Sequence, residues 1–233
     1  MIKIQNLAKI YSSITVLDIP ELEIPAGESF GLVGNNGAGK TTMFRAILDL
    51  IRPDRGTVLS RGEDVSLTEN WKFYTGSYLD DGFLIDFLTP EEYFTFVSDI
   101  YGLKEGDLQF FYNRFEDFFS HEILGKNKLI REFSNGNRQR IGIAGAMLPE
   151  PEILVLDEPF NSLDPTTQIR LKKMLRQLST EKRVTMLISS HDLNHITEVC
   201  DRIVVLHEGK IVHDLRTNQD TLKVLEEYFS IPC

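Results

Sequence analysis

The sequence predicts an α/β protein: a mostly parallel central sheet with helices packed on it, an N-terminal antiparallel β subdomain and an inserted helical subdomain. Three observations carry the prediction. The last third alternates apolar runs with helix-patterned stretches, and parallel strands need such crossovers to return to the sheet. The first third consists of short β-rich runs bounded by Pro or Gly. Between them composition changes: nine of the 15 Phe lie between Phe83 and Phe119, with Tyr93, Tyr101 and Tyr112.

Taken in order, "MIKIQNL", "ITVLDIPELEIP" and "ESFGLVG" read as strands. Residues 40–51 read as a helix stopped before Pro53. "GTVLSRGEDV" reads as a hairpin-like piece. "TPEEYFTFVSDIYGL" and "GDLQFFYNRFEDFF" suit helices, with Pro90 placed at a first turn. Their aromatics form a small helical core, or in part an exposed docking surface. "FSNGNRQRIGIAGAML" is a helix that Ser134 caps, although its start raises a question: why Ser, two Asn and a Gly, followed by Arg138, Gln139 and Arg140? "EILVLDE" and "RVTMLISS" are buried-type strands. "PTTQIRLKKMLRQLS" is a helix with Leu171, Met174, Leu175 and Leu178 at helical spacing, and "DLNHITEVC" is another. "DRIVVLHEGKIVHDL" gives two strands around a turn at Glu208-Gly209. These boundaries divide the chain into a core of residues 1–81 and 151–233 and a helical subdomain of residues 82–150.

With 233 residues, 42% of them hydrophobic, the chain supports one sizeable core, or one core with an attached subdomain. A net charge of −10 argues against a broad nucleic-acid or anionic-membrane footprint. Cys200 and Cys233 form no metal-ligand spacing, and a reducing cytoplasm is expected. The start lacks a signal-peptide pattern, and no run reaches the roughly 18 apolar residues of a membrane span. If a membrane matters, another chain spans it.

The sharpest motif is "GNNGAGKT", Gly34 to Thr41, which fits G-x-x-x-x-G-K-[ST] between an apolar strand and a helix. Glycine lets the backbone of Gly34, Asn35, Asn36, Gly37, Ala38 and Gly39 curl so that N–H groups point at phosphate oxygens. The helix N-terminus adds positive potential there. Lys40 reaches the β- and γ-phosphates, and the Thr41 hydroxyl suits Mg²⁺. These features predict a P-loop NTPase core.

"ILVLDEPFNSLD" supplies the partners. Four apolar residues make a central strand, and ligands of open α/β sheets sit at the carboxyl ends of strands. Asp157 is placed to hold Mg²⁺, and Glu158 to accept a proton from a water attacking the γ-phosphate. His191 leaves a second strand at the same edge, where a donor contacts the γ-phosphate. Asp164 precedes Pro165 and caps the following helix.

Together these pieces resemble the ATP-binding subunits of ABC transporters over nearly the whole chain. The resemblance implies further roles. Tyr11 lies where the family stacks an aromatic on adenine. Gly34 to Thr42 match Walker A, Ile153 to Asp157 the Walker B strand, Glu158 the catalytic carboxylate, Ser162 to Asp164 the D-loop, and His191 the switch histidine. "FSNGNRQR" sits where the family has its Leu-Ser-Gly-Gly-Gln signature. Ser134, Asn135, Gly136 and Asn137 would then meet the γ-phosphate held by a second subunit, with Asp164 at the same junction. Asp80, or Asp81 in a shifted register, falls where a Q-loop side chain usually contacts Mg²⁺ and the lytic water. "LTPEEYFTFVSDIYGL" resembles exporter-type subunits.

The resemblance implies ATP and Mg²⁺ as cofactors, a second ATP-binding subunit, and membrane-spanning permease subunits. Location would be the cytoplasmic side of the membrane, held peripherally through those partners. Asn135 and Asn137 depart from the usual Gly and Gln. Because Asn tolerates unusual backbone angles, the loop is expected to form with dimer closure weakened. Two alternatives stay open: a soluble ABC-type ATPase, for example in cluster assembly, and a small-molecule P-loop kinase.

Overall fold

The computed structural model describes residues 1–230, so the terminal Cys233 considered above lies outside the described residues. Strands β1 (Ile2–Tyr11) and β2 (Ile14–Ile24) pair antiparallel, from Ile2↔Ile24 to Tyr11↔Ile14. With β4 (Arg55–Ser60) and β5 (Glu63–Asp64) they form a four-stranded sheet in the order β2-β1-β4-β5. Pro20 is tolerated inside β2 because that strand is an edge, where a missing N–H breaks no ladder.

The second sheet has six strands, adding β3 (Ser29–Val33), β6 (Thr75–Tyr78), β7 (Ile153–Leu156), β8 (Thr185–Ser190), β9 (Arg202–His207) and β10 (Lys210–Arg216). Their order is β10-β9-β3-β8-β7-β6, parallel throughout except for the β9–β10 pair. Both faces are covered, which explains the uninterrupted apolar runs. In β7, Ile153 and Val155 join one hydrophobic cluster with Phe30, Leu32 and Phe44, whereas Leu154 and Leu156 join the other with Ile141, Leu171 and Ile196.

Helix α1 spans Lys40–Ile47 and so ends before the residue 51 expected from sequence. Asp49 turns left-handed at φ 50, and the amide of Leu50 returns to the Arg45 carbonyl at 2.8 Å while that of Asp49 bonds Ala46 at 3.3 Å. This is a Schellman closure, made here on Asp rather than Gly.

Helices α2 (Pro90–Ile100) and α3 (Glu105–Phe119) follow, α2 opening on a Thr89–Glu92 capping box with Pro90 in the first turn. Phe94, Phe111, Phe115, Phe118 and Phe119 are buried together, so the helical-core reading holds for them. Phe83, Phe87, Phe96 and Phe110 remain exposed. Helix α4 (Asn135–Met147) lies between this aromatic core and β6, and α5 (Pro165–Lys182), α6 (Leu193–Val199) and α7 (Thr221–Ser230) complete the chain. Neither β6 nor α7 was assigned from sequence. No helix among the described residues is long and apolar enough to cross a membrane.

Candidate nucleotide site

Parallel register aligns the carboxyl ends of four strands: Val33 pairs with Ser190, Leu156 with Ile188, and Tyr78 with Leu156. The motif residues therefore leave the sheet along one edge. β3 feeds the loop Gly34 to Gly39, β7 feeds Asp157 and Glu158, β8 feeds His191, and β6 feeds Asp80 and Asp81.

Gly39 is the N-cap of α1 at φ 106, a conformation open to glycine, and a Cβ there would lie 2.8 Å from the Val16 carbonyl. Asn35, Asn36 and Gly37 are exposed at the loop's crest, while Ala38 and Lys40 are buried. The Lys40 ammonium donates to the Gly34 carbonyl at 2.6 Å and lies 3.3 Å from a Glu158 carboxylate oxygen. A phosphate chain entering the loop would compete with both contacts for that charge. Thr42 follows, half-buried in the first turn. Tyr11, exposed at the end of β1, carries the Lys9 ammonium 5.2 Å from its ring centroid.

The Thr41 hydroxyl donates to Asp157 at 2.5 Å, and the Ser189 hydroxyl bonds the other oxygen of the same carboxylate. Burial pushes the Asp157 carboxyl above its ordinary value, and the two hydroxyl donors only partly offset this. A desolvated carboxylate beside a threonine hydroxyl fits a hard divalent cation held by few protein oxygens plus phosphate.

Glu158 adopts the left-handed conformation, with φ 48. Its backbone amide donates to the Ser189 hydroxyl oxygen at 2.9 Å, and its carboxylate lies 2.9 Å from His191 Nδ1 and accepts from the His191 amide at 3.2 Å. Asp80 accepts from the Gly82 amide at 2.8 Å and pairs with Arg45 at 3.2 Å. Asp81 accepts from the Tyr78 hydroxyl at 2.5 Å and pairs with Arg138 at 3.0 Å. A cleft of about 410 Å³ joins Asp80 and Asp81 to Asn135, Asp157, Glu158 and Ser162.

The start of α4 answers the question its sequence raises. Ser134 is the N-cap, its Oγ accepting from the Asn137 amide at 3.3 Å. Asn135 accepts from Arg138 at 2.8 Å and Asn137 from Arg140 at 2.6 Å. Gln139 donates to the Glu158 carbonyl at 3.1 Å. The buried Arg140 guanidinium also binds the Phe118 carbonyl and Glu122. Asn135 and Asn137 are ordinary helical residues, so tolerance of unusual backbone angles is not what admits them. They are acceptors for the two arginines. Gly136 faces the loop after β7, where a Cβ would stand 2.5 Å from the Ser162 carbonyl. Asp164 caps α5, bonding the Thr166 and Thr167 amides at 3.0 and 3.1 Å. Its carboxyl is held below the ordinary range by the Thr167 hydroxyl and these amides. Sequence reasoning missed Tyr78 and Ser189, of which only Ser189 was signalled, by its position at the end of an apolar strand; it singled out Arg138 without foreseeing its Asp81 partner.

A phosphate-type loop, a buried aspartate on its threonine and a glutamate–histidine pair, aligned at the carboxyl edge of a parallel sheet, define a nucleoside-triphosphatase cassette. Residues 17–161 match the family model described as ABC transporter, and the chain belongs to that family. The bacitracin transport ATP-binding protein BcrA of Bacillus licheniformis is 34% identical over 221 residues, 92% of this chain and 69% of that protein. The lantibiotic transport ATP-binding protein SrtF of Streptococcus pyogenes is 32% identical over 232 residues, 99% of this chain and 96% of that protein. Among solved structures, an ATP-binding subunit of an ABC transporter superposes with a TM-score of 0.84 at 27% identity, covering 98% of this chain and 93% of that one. A bacterial ABC transporter cassette solved as a dimer, and also in a post-hydrolysis state bound to ADP and Pi, gives 0.81 at 25% identity, covering 94% of this chain and 99% of that one. This chain is accordingly an ATP-binding, ATP-hydrolysing cassette of a transporter.

Proposed function

We propose that two ATP-binding subunits, two copies of this chain in the simplest case, close on ATP and drive export through separate membrane-spanning permease subunits. The chain would then sit peripherally on the cytoplasmic side of the membrane. The observation that carries this reading is the convergence of Lys40, Thr41–Asp157 and Glu158–His191 at one sheet edge. The names of the relatives, transport proteins for bacitracin and a lantibiotic, support export of a peptide antibiotic or a similar compound.

In the proposed mechanism the backbone from Gly34 to Gly39 cradles the phosphates, with Thr42 in the first helical turn behind it, and Tyr11 stacks on adenine. Lys40 leaves Glu158 for the β- and γ-phosphates. Thr41 and Asp157 would hold Mg²⁺, with Asp80 a further carboxylate in the same cleft; the cation would neutralise charge building on the phosphate oxygens. Freed of Lys40, Glu158 takes the proton of the attacking water as the γ-phosphorus bond to ADP breaks. His191 holds the carboxylate from one side and offers a donor toward the γ-phosphate. Ser134 to Asn137 and the N-terminus of α4 meet the nucleotide of the other subunit, and Ser162 to Asp164 line the junction. Residues 82–150 act as the helical subdomain, presenting the exposed aromatics to the permease.

The test is a native pull-down of tagged Glu158→Gln protein from its own cells with ATP present. Recovery of a polytopic membrane protein is expected. A soluble complex without one would remove transport and leave the ATPase chemistry. Direction is then read in vesicles made with that partner, as substrate accumulating on the side away from ATP.

A further inference from the structure

One face of α4, packed on β6 and on the turn at residues 81–83 that follows it, carries Asn135, Arg138 and Gly142, at helical positions i, i+3 and i+7. The Tyr78 ring occupies the notch at Gly142, where a Cβ would stand 2.2 Å from the ring. From there its hydroxyl donates to one Asp81 oxygen, and the other oxygen holds Arg138. The same guanidinium nitrogen of Arg138 also reaches Asn135. The neighbouring Asp80 turns the opposite way, to Arg45 on α1. Two consecutive carboxylates thus tie the helix behind the phosphate loop to the helix that opens on Ser134.

We infer that Tyr78, Asp81, Arg138 and Asn135 form a latch that fixes the attitude of the α4 N-terminus relative to the phosphate loop, and that Asn135 is present to complete it. Arg138 and Asp81 are positioning residues, acting through Ser134 to Asn137 on a nucleotide they do not touch. Placement of such a terminus matters because displacements near 1 Å are enough to slow a reaction about a hundredfold. The inference also accounts for the departure from Gly at position 135: a glycine offers Arg138 no acceptor. It rests on the proposed meeting of this terminus with the other subunit's nucleotide.

The experiment is a double-mutant cycle of Asp81→Asn and Arg138→Gln, read three ways. Hydrogen exchange at the amides of residues 136–139 is measured in the isolated chain without nucleotide. Steady-state kcat and KM, and the Kd of a non-hydrolysable ATP analogue, are measured beside it. Each single change is expected to speed exchange and lower kcat by about three- to tenfold, the double adding little to the worse single. The analogue Kd should move less than about twofold, and Arg138→Lys, which keeps the charge but not the guanidinium geometry, should recover only part of the loss. Additive or absent exchange effects overturn the latch whatever the activity. Coupled exchange effects with unchanged kcat overturn its part in hydrolysis, and count against the trans-nucleotide reading rather than against the contacts.

Discussion

Replacing Gly136 by Ala sets two effects against each other at one atom. Gly136 lies in the first turn of α4, and helical preference alone favours Ala by about 1 kcal/mol. The added Cβ, however, would stand 2.5 Å from the Ser162 carbonyl oxygen. An ordinary carbon–oxygen approach is about 3.3 Å, so one backbone must retreat by roughly 0.8 Å. Neither side yields easily. Ser162 is already held left-handed at φ 59, and α4 is pinned by Gln139 on the Glu158 carbonyl and by the buried Arg140. Overpacking of this kind costs about 2 kcal/mol, leaving a net loss near 1 kcal/mol after the helical gain, or roughly 2–4 °C in Tm for a chain of this size. The larger effect should be on turnover, because the displaced atoms are those beside Glu158 and Ser134: a fall of about ten- to a hundredfold in kcat. Calorimetry and phosphate release report the two quantities separately. A variant with raised Tm and undiminished kcat would refute the reasoning, showing that α4 and the Ser162 loop are not held against each other.

Further outcomes follow from the same geometry. Lys40→Ala should abolish ATP binding in a filter or fluorescence assay, and retained affinity would remove the phosphate role. Glu158→Gln should trap ATP uncleaved, so hydrolysis at the normal rate would show that the base lies elsewhere. Asn135→Gly, a repair on the strength of sequence resemblance, should instead lower the ATPase rate because Arg138 loses an acceptor; a faster variant would return the argument to weakened closure. For Asp157 the folded pKa is raised by burial, so its contribution to stability is full below the unfolded value of 3.8 and is lost as pH rises through the folded value. Asp157→Asn should therefore gain Tm relative to the unsubstituted chain across that window while losing Mg²⁺-dependent hydrolysis. A Tm difference that does not grow with pH would sink this account.

The fold was legible where burial on both faces left long apolar signals: β3, β7, β8 and β9 are read directly from their runs. The four-residue β6, Thr75–Tyr78, holds a Gly and a Ser and is a strand only because β7 supplies its ladder. α7 was a different miss, since Leu222, Leu225, Tyr228 and Phe229 do stand at helical spacing. At the site, the phosphate loop and the strand-end carboxylates were legible because the backbone demands glycine and the chemistry demands those side chains in fixed order. The partners of Asp157 come from the end of β8, Ser189, and from the first turn of α1, Thr41, and no local pattern couples them. The two aspartates after β6 could not be told apart by register, since their separation into an Arg45 partner and an Arg138 partner is a tertiary fact.

The left-handed backbone of Glu158 bears on how this protein would behave under laboratory evolution. A residue with a Cβ held there costs about 1–2 kcal/mol, a penalty that glycine avoids and asparagine reduces. A library screened for heat tolerance alone would thus be drawn to Gly or Asn at 158, and every such winner would lack the carboxylate. With Glu158 as the proposed base, screens on this scaffold would need turnover as a second criterion, or the sturdiest clones would be the idle ones.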